Sequence, residues 1–253
     1  MTVVPLDSGD ARSLRRATEL LASSLPAQCR GMAAYDADRY DAYLAAALAP
    51  GPSARTLHLR AVRMLGAVRA VADWRVGTDS LFLNGLAVRE EDRGCGLGSL
   101  LLEDGVEMAT RLGAALIALD VCLENAPAHA LYAKWRFRPA GRQSWIDLTD
   151  QAESEPASPP GRVTVLDWPT YTAHVDTYGF GDLTVRDERG VTWTIRVVGN
   201  VLRVPLGLRM RDIAAVLPFT PKEAYAITPG TPSLDIIASF ERLQRATHHP
   251  ADR

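Results

Sequence analysis

The residues best suited to chemistry lie together between Leu81 and Leu102, in the run LFLNGLAVREEDRGCGLGSLLL. An apolar stretch of strand length runs to Val88. A short polar loop follows, and glycine-rich backbone then opens directly into a run with helical spacing. Such an arrangement is suited to binding an anion. The start of a helix carries N–H groups without intrahelical partners and a partial positive charge. Gly94, Gly96 and Gly98 let the backbone approach a phosphate with no Cβ in the way, and Arg93 adds a fixed positive charge at the same rim. A glycine-rich turn without a ligand has the same spacing. A dinucleotide fingerprint does not, because the third glycine position is Leu101. A nucleotide phosphate loop does not either, because no Gly-Lys-Ser/Thr follows.

A second run, Leu123–Phe137, reads LENAPAHALYAKWRF. Together the two runs resemble the GNAT superfamily of acyl-CoA N-acyltransferases. Its first signature, Arg or Gln, two residues, Gly, one residue, then Gly or Ala, is met by Arg93, Gly96 and Gly98. Its second is met by Asn125, Ala128, Leu131, Tyr132 and Phe137, with one departure: Arg136 stands where Gly is usual. Gly there ends the helix in a left-handed conformation, and an Arg in that geometry costs about 1 kcal/mol, so a slightly different helix end is expected. The resemblance covers Val3–Leu148 and is silent on the remainder.

The resemblance implies acetyl-CoA as cosubstrate and no metal. Backbone N–H groups over Arg93, Gly94, Cys95, Gly96, Leu97, Gly98 and Ser99 would bind the coenzyme A pyrophosphate. The backbone of Leu86, Ala87 and Val88 would pair with the pantetheine arm as an added strand does, with Leu86 the expected oxyanion donor and Asn125 a further hydrogen-bonding partner of the arm. Asn125 also reads as a plain helix N-cap, and the two roles are compatible. The implied reaction is direct attack of a primary amine on the thioester in a ternary complex. Tyr132 is the carried-over proton donor to the departing thiolate; its bland reading is a tyrosine buried for packing. For the base, the candidates are Asp73 and Asp79 near the strand pair and Asp120 on the later strand, with a solvated loop role for Asp79 and a buried structural role for Asp120 as the bland alternatives. Asn84 is placed to hold a water. His58 reads as structural, and His129 as lying on an exposed helix face. Cys95 sits in the phosphate loop with no His or Asp nearby to activate it, Cys122 reads as strand core, and His248-His249 is a metal suggestion without partners. A rival reading is a GNAT-fold regulatory module that holds acyl-CoA without turnover. A third is an enzyme that takes a longer acyl chain or a hydroxyl acceptor.

These groups need a scaffold. Arg12–Leu25 and Tyr35–Leu48 have helical character. Thr56–Arg63, Gly66–Val76 and Ser80–Val88 read as strands. Gly96–Leu112 is a helix with a stripe of Leu97, Leu100, Leu101, Met108 and Leu112. Ala114–Cys122 is a buried strand, Ala126–Arg136 a helix, and Phe137–Ala140 and Ser144–Leu148 closing strands. This is an α/β (α+β) arrangement: a mixed, mostly antiparallel central sheet flanked by helices. The run TDQAESEPASPPG over 149–161 is polar and rich in Pro and Ser. It divides the chain into an acetyltransferase-like domain (1–148), a linker, and a smaller α+β domain (162–253). In the latter, Val191, Trp193, Ile195 and Val197 alternate with polar residues and predict a meander over Leu183–Leu206. Helices are predicted near Met210–Leu217 and, capped by Ser233, over Leu234–Ala246. Trp168, Tyr171, Trp193 and Tyr225 read as core rather than as a substrate wall. No repeat of fixed period is visible. The roles open to this half are covering the acceptor cleft, forming a homodimer face or binding a partner.

The 253 residues are 47% hydrophobic and 23% charged with a formal net charge of -2. That is an ordinary globular balance, without the basic track of a nucleic-acid binder. No apolar run is long enough to span a membrane, the N-terminus lacks a secretory signal pattern, and the three cysteines Cys29, Cys95 and Cys122 are too scattered for a disulfide framework or a zinc site. A cytoplasmic protein that acts on a small-molecule or protein amine, away from membranes and nucleic acid, is the expectation.

Overall fold

A computed structural model describes residues 2–149 and 161–247. Most of the 149–161 run and His248-His249 lie outside the described residues. In chain order the elements are β1 (Val3–Pro5), α1 (Ala11–Ser23), α2 (Tyr40–Leu48), β2 (Leu57–Met64), β3 (Ala67–Val76), β4 (Ser80–Val88), α3 (Leu97–Arg111), β5 (Leu116–Cys122), α4 (Ala126–Lys134) and β6 (Arg138–Asp147). There follow β7 (Thr164–Val165), α5 (Trp168–Tyr178), β8 (Phe180–Arg186), β9 (Thr192–Val198), β10 (Val201–Arg203), α6 (Met210–Ala214), β11 (Glu223–Pro229) and β12 (Ile236–Ala246).

The chain forms two compact units that are not contiguous in sequence. The first comprises Met1–Leu25, Asp41–Arg142 and Phe240–Arg253; the second comprises Pro26–Tyr40 and Gln143–Ser239. The division falls inside both β6 and β12.

In the first unit the strand order is β1-β2-β3-β4-β5-β12. All neighbours are antiparallel except β4 and β5, which run parallel through the α3 crossover. Asp10 caps α1 by accepting from the Ser13 N–H at 3.0 Å, and Leu14, Ala17, Leu20 and Leu21 form its buried stripe. The core under α3 joins Trp74, Leu101, Met108, Ile117, Leu119, Tyr132 and Leu243. Gly105 lets α3 sit on Trp74, because a Cβ there would meet the indole ring at 2.1 Å. The helical stripe differs from its predicted composition: Leu102 is buried and Leu112, just past the last turn, is 43% exposed.

In the second unit the order is β6-β11-β10-β9-β8-β7. The pattern of the first unit recurs: an antiparallel meander, one parallel pair (β10 with β11) across a helix, and a final antiparallel strand. The core joins Ile146, Tyr171, Leu183, Ile195, Val197, Leu202, Ile213 and Ala226. Tyr171 and Tyr225 are buried and Trp168 and Trp193 pack on that core, in keeping with the core reading of these aromatics.

Two sequence expectations change here. The segment expected as a helix over Leu234–Ala246 is strand β12. Ile236, Phe240 and Leu243 stand four and three apart, a spacing compatible with a helix face, but β5 offers an edge and Phe240–Ala246 pairs with Cys122–Leu116 residue for residue; tertiary pairing overrides local spacing. Helix α5 lies outside the sequence expectations, although its signals are present: Asp167 accepts from the Thr170 N–H at 3.3 Å, Pro169 sits in the first turn, and Gly179 closes it at φ 79°.

Candidate active site

Strand β4 carries the first part of the site. Its register with β3 shifts between Trp74↔Leu83 and Asp73↔Gly85, leaving Asn84 as the extra residue of a β-bulge. The parallel register with β5 ends at the same point. It runs from Ser80↔Leu116 to Leu83↔Leu119 and goes no further, although β4 continues to Val88 and β5 to Cys122. Over Gly85–Val88 the strand is therefore paired with β3 on one side and open toward β5 on the other. This is the stretch that contains Leu86, Ala87 and Val88.

The chain then enters the loop over 89–96. Arg89 donates to Asp92 at 2.8 Å and Arg69 reaches the same carboxylate at 3.5 Å, so the loop base is braced. Arg93, Gly94, Cys95 and Gly96 are exposed. Gly94 and Gly96 hold φ of 78° and 81°, conformations that side chains rarely adopt. Gly96 is the N-cap of α3. No side chain caps the helix and its first turn carries no acidic residue, so the N–H groups of Leu97, Gly98 and Ser99 lack a side-chain cap, a helix start that is suited to an anion. Gly98 has a different role from its neighbours. A Cβ there would come within 3.0 Å of Leu131 on α4 and 3.7 Å of Leu86 on β4, so its small size lets three elements of the site meet.

Helix α4 begins at Asn125, whose Oδ1 accepts from the Ala128 N–H at 3.2 Å. Tyr132 lies on its inner face, with its ring 5.7 Å from that of Phe137. Burial pushes the phenol far above its usual range, so it stays protonated and remains a donor. The helix end does not deviate at Arg136 as expected. Arg136 adopts φ 62°, and the Phe137 N–H reaches the Tyr132 carbonyl at 3.1 Å, the geometry a Gly would take. His129 is not on an exposed face either. One ring nitrogen, Nε2, is 3.2 Å from the Cys122 carbonyl and the other is 3.7 Å from Glu241.

The two carboxylates singled out on strands both hold an arginine. Asp73 is fully buried and accepts from Arg75 Nε and Nη2 at 2.8 Å each and from Asn84 Nδ2 at 2.9 Å. Arg75 also reaches the Tyr43 hydroxyl on α2 at 3.2 Å. Asp120 lies opposite Arg242 on β12 and is bridged by its Nε and, at 2.8 Å, by its Nη2. Asp79 is an exposed turn residue whose carbonyl serves Ala115. His58 is half-buried with Nε2 unpartnered; desolvation, then Arg55, Arg60 and Arg111, hold its pKa below the usual imidazole value. The Cys122 thiol is buried, and burial pushes it up. Among the described residues no group of three or more His, Cys, Asp or Glu is placed to hold a metal, and no helix is long and apolar enough to cross a membrane.

Sequence reasoning missed Arg75, Tyr43, Glu241 and Arg242. Asp73 and Arg75 stand two apart in a strand, which puts them on one face, and that signal was available. Arg242 was concealed by the helix reading of its segment.

The profile of the Acetyltransferase (GNAT) family matches residues 17–137, which span α1 to Phe137 and include both runs described above. Residues 17–137 are a GNAT acetyltransferase domain. A Bacillus subtilis (strain 168) protein described as a ribosomal protein bS18-alanine N-acetyltransferase is 35% identical over 68 residues, which is 27% of this chain and 44% of that protein; the chain thus spans less than half of that relative's length. Among solved structures, a tandem GNAT protein from the clavulanic acid biosynthesis pathway, solved without acetyl-CoA, superposes with TM-score 0.65 at 15% identity, over 98% of both chains. A GCN5-related N-acetyltransferase from Sphaerobacter thermophilus gives 0.61 at 14% identity, over 98% of this chain and 96% of its own. At these identities the likeness is one of fold, and it extends through both units: the second, which carries no sequence signature, shares the fold of a tandem GNAT protein.

Proposed function

We propose that this chain is an N-acetyltransferase that moves acetyl from acetyl-CoA to a primary amine in a ternary complex. The observation that carries the reading is the parting of β4 and β5 after Leu83 and Leu119, which leaves an open strand edge leading to an uncapped, glycine-rich helix start. Such an edge suits an extended arm with amide groups, and the helix start suits a pyrophosphate. In this reading the arm pairs with Leu86–Val88, the loop from Arg93 to Ser99 holds the phosphates, and Asn125 offers its amide N–H groups to the arm while its oxygen caps α4.

The amine attacks the thioester carbonyl as the free base, forming the C–N bond. The tetrahedral oxyanion is stabilised by backbone N–H at Leu86. The C–S bond then breaks, Tyr132 gives its proton to the sulfur, and the proton lost by the nitrogen passes through water, restoring the phenol. Asp73 and Asp120 serve this scheme by fixing Arg75 and Arg242. That both candidate carboxylates are engaged in ion pairs also favours the second reading, a module that binds acyl-CoA without turnover.

Thiol release from acetyl-CoA across an amine panel separates the two. Tyr132→Phe is expected to lower kcat by roughly 100-fold or more, the range of a lost general acid, with acetyl-CoA affinity kept. Acetyl-CoA binding with no thiol release from any amine would establish the second reading.

A further inference from the structure

On the first unit's sheet, Leu119, Val121 and Leu243 point into the core with α3 and α4. Their alternating neighbours Asp120 and Arg242 therefore occupy the opposite face. Phe82 shares that face, since the Arg242 guanidinium carbon lies 5.2 Å from the centre of its ring. Arg75, directly across from Phe82 on β3, completes the row. Each guanidinium is braced by a carboxylate more buried than itself: side-chain exposure is 38% for Arg242 against 19% for Asp120, and 26% for Arg75 against 0% for Asp73. Arg242 gives Nε and Nη2 to Asp120, so its Nη1 group is turned away from that carboxylate. Asp120 is also the first residue of β5 beyond the point where β4 and β5 part.

We infer that Arg242 is the acceptor-recognition residue and that the acceptor is an amine bearing its own carboxylate, an amino acid. This rests on the N-acetyltransferase reading. A braced guanidinium matches a carboxylate in shape and charge. The Phe82 ring beneath the guanidinium steadies it, and its edge adds apolar surface beside the carboxylate position for the carbon chain. Hydrogen bonds to Asp120 also keep Arg242 firmly charged. Neighbouring strands lie about 4.8 Å apart, so an amine about two or three bonds from a carboxylate held at Arg242 on β12 reaches the opening beside β5.

The test is steady-state acetylation by the full chain of matched acceptors: alanine with ethylamine, phenylalanine with phenethylamine, and an amidated peptide with N-terminal alanine. The carboxylate-bearing member of each pair is expected to have at least about tenfold higher kcat/KM, as for a charge-assisted hydrogen bond. Arg242→Gln brings the ratio to about one through the acceptor KM, with acetyl-CoA affinity unchanged, and Arg242→Lys keeps part of it. The double variant Asp120→Asn/Arg242→Gln avoids an unpaired carboxylate and should behave as Arg242→Gln does. The inference is overturned if the plain amines or the amidated peptide are acetylated as well as the amino acids, or if either Gln variant, with its acetyl-CoA affinity intact, retains the preference. No transfer to any acceptor by a chain that binds acetyl-CoA overturns the N-acetyltransferase reading, and this inference with it.

Discussion

The two units contain the same crossover built to different lengths. In the first, nine-residue β4 leads through a glycine-rich loop into fifteen-residue α3 and back to a parallel β5. In the second, three-residue β10 leads through residues 204–209 into five-residue α6 and back to a parallel β11. In the first, the helix start is left open toward solvent. In the second, Asp212 sits in the first turn and its carboxylate takes the Gly161 N–H and Arg209 Nε, both at 2.8 Å. The connector and helix of the second unit are spent on packing, with Val204, Leu208, Met210 and Ile213 all buried. The comparison teaches that the crossover is a scaffold first. It is suited to an anion only when the helix is long enough to carry a useful dipole and its start is left uncapped by the chain's own carboxylates.

The largest expected effect breaks the first unit by removing its last strand. A chain ending at residue 149 lacks Phe240–Ala246, leaves β5 with an unpaired edge, and should lose acetyl-CoA binding outright; calorimetry on the fragment checks this, and binding equal to that of the full chain would refute it. Next, the full chain should bind one acetyl-CoA per polypeptide, and Gly96→Glu, which forces a side chain into a φ of 81° and sets a negative charge at the phosphate position, should abolish that binding. A second equivalent in titration would show that the short crossover binds too. Smaller effects compare glycine packing in the two cores by denaturant unfolding. Gly105→Ala drives a Cβ into the fully buried Trp74 ring and should cost about 3 kcal/mol, whereas Gly181→Ala meets Val175 at 2.9 Å and should cost about 1 kcal/mol. The smallest concerns helix ends: α5 closes on Gly179 and α4 on left-handed Arg136, so Arg136→Gly should stabilise by about 1 kcal/mol. No gain in the same unfolding measurement would mean that Arg136 relaxes at little cost.

What was legible in the sequence was what is local. The glycine-rich loop and α4 are written in contiguous residues, so Gly96 falls at the start of α3, Asn125 at the N-cap of α4 and Tyr132 on its buried side, as their spacing predicts. The meander around Ile195 and Val197 was equally local. What escaped depends on partners far along the chain. Ser233 and the apolar spacing after it suggested a helix, and only the edge of β5, more than a hundred residues earlier, makes Phe240–Ala246 a strand. Asp120 looked like a free candidate base because Arg242 could not be seen opposite it. The repeated topology was invisible because it is kept by strand order while the motif residues are gone, with Leu206-Gly207-Leu208 where a cradle would need several glycines.

The pairing of β5 with β12 also sets an order of events during synthesis. Ribosomes add about 5–20 residues per second, so β5 leaves the ribosome roughly ten seconds before Phe240–Ala246 is made. Throughout that interval the nascent first unit carries its cradle residues but not the strand that finishes its sheet, and the second unit's residues emerge while that edge is still waiting. On the expectation that the fragment ending at residue 149 does not bind acetyl-CoA, binding would begin only once that last strand has been made.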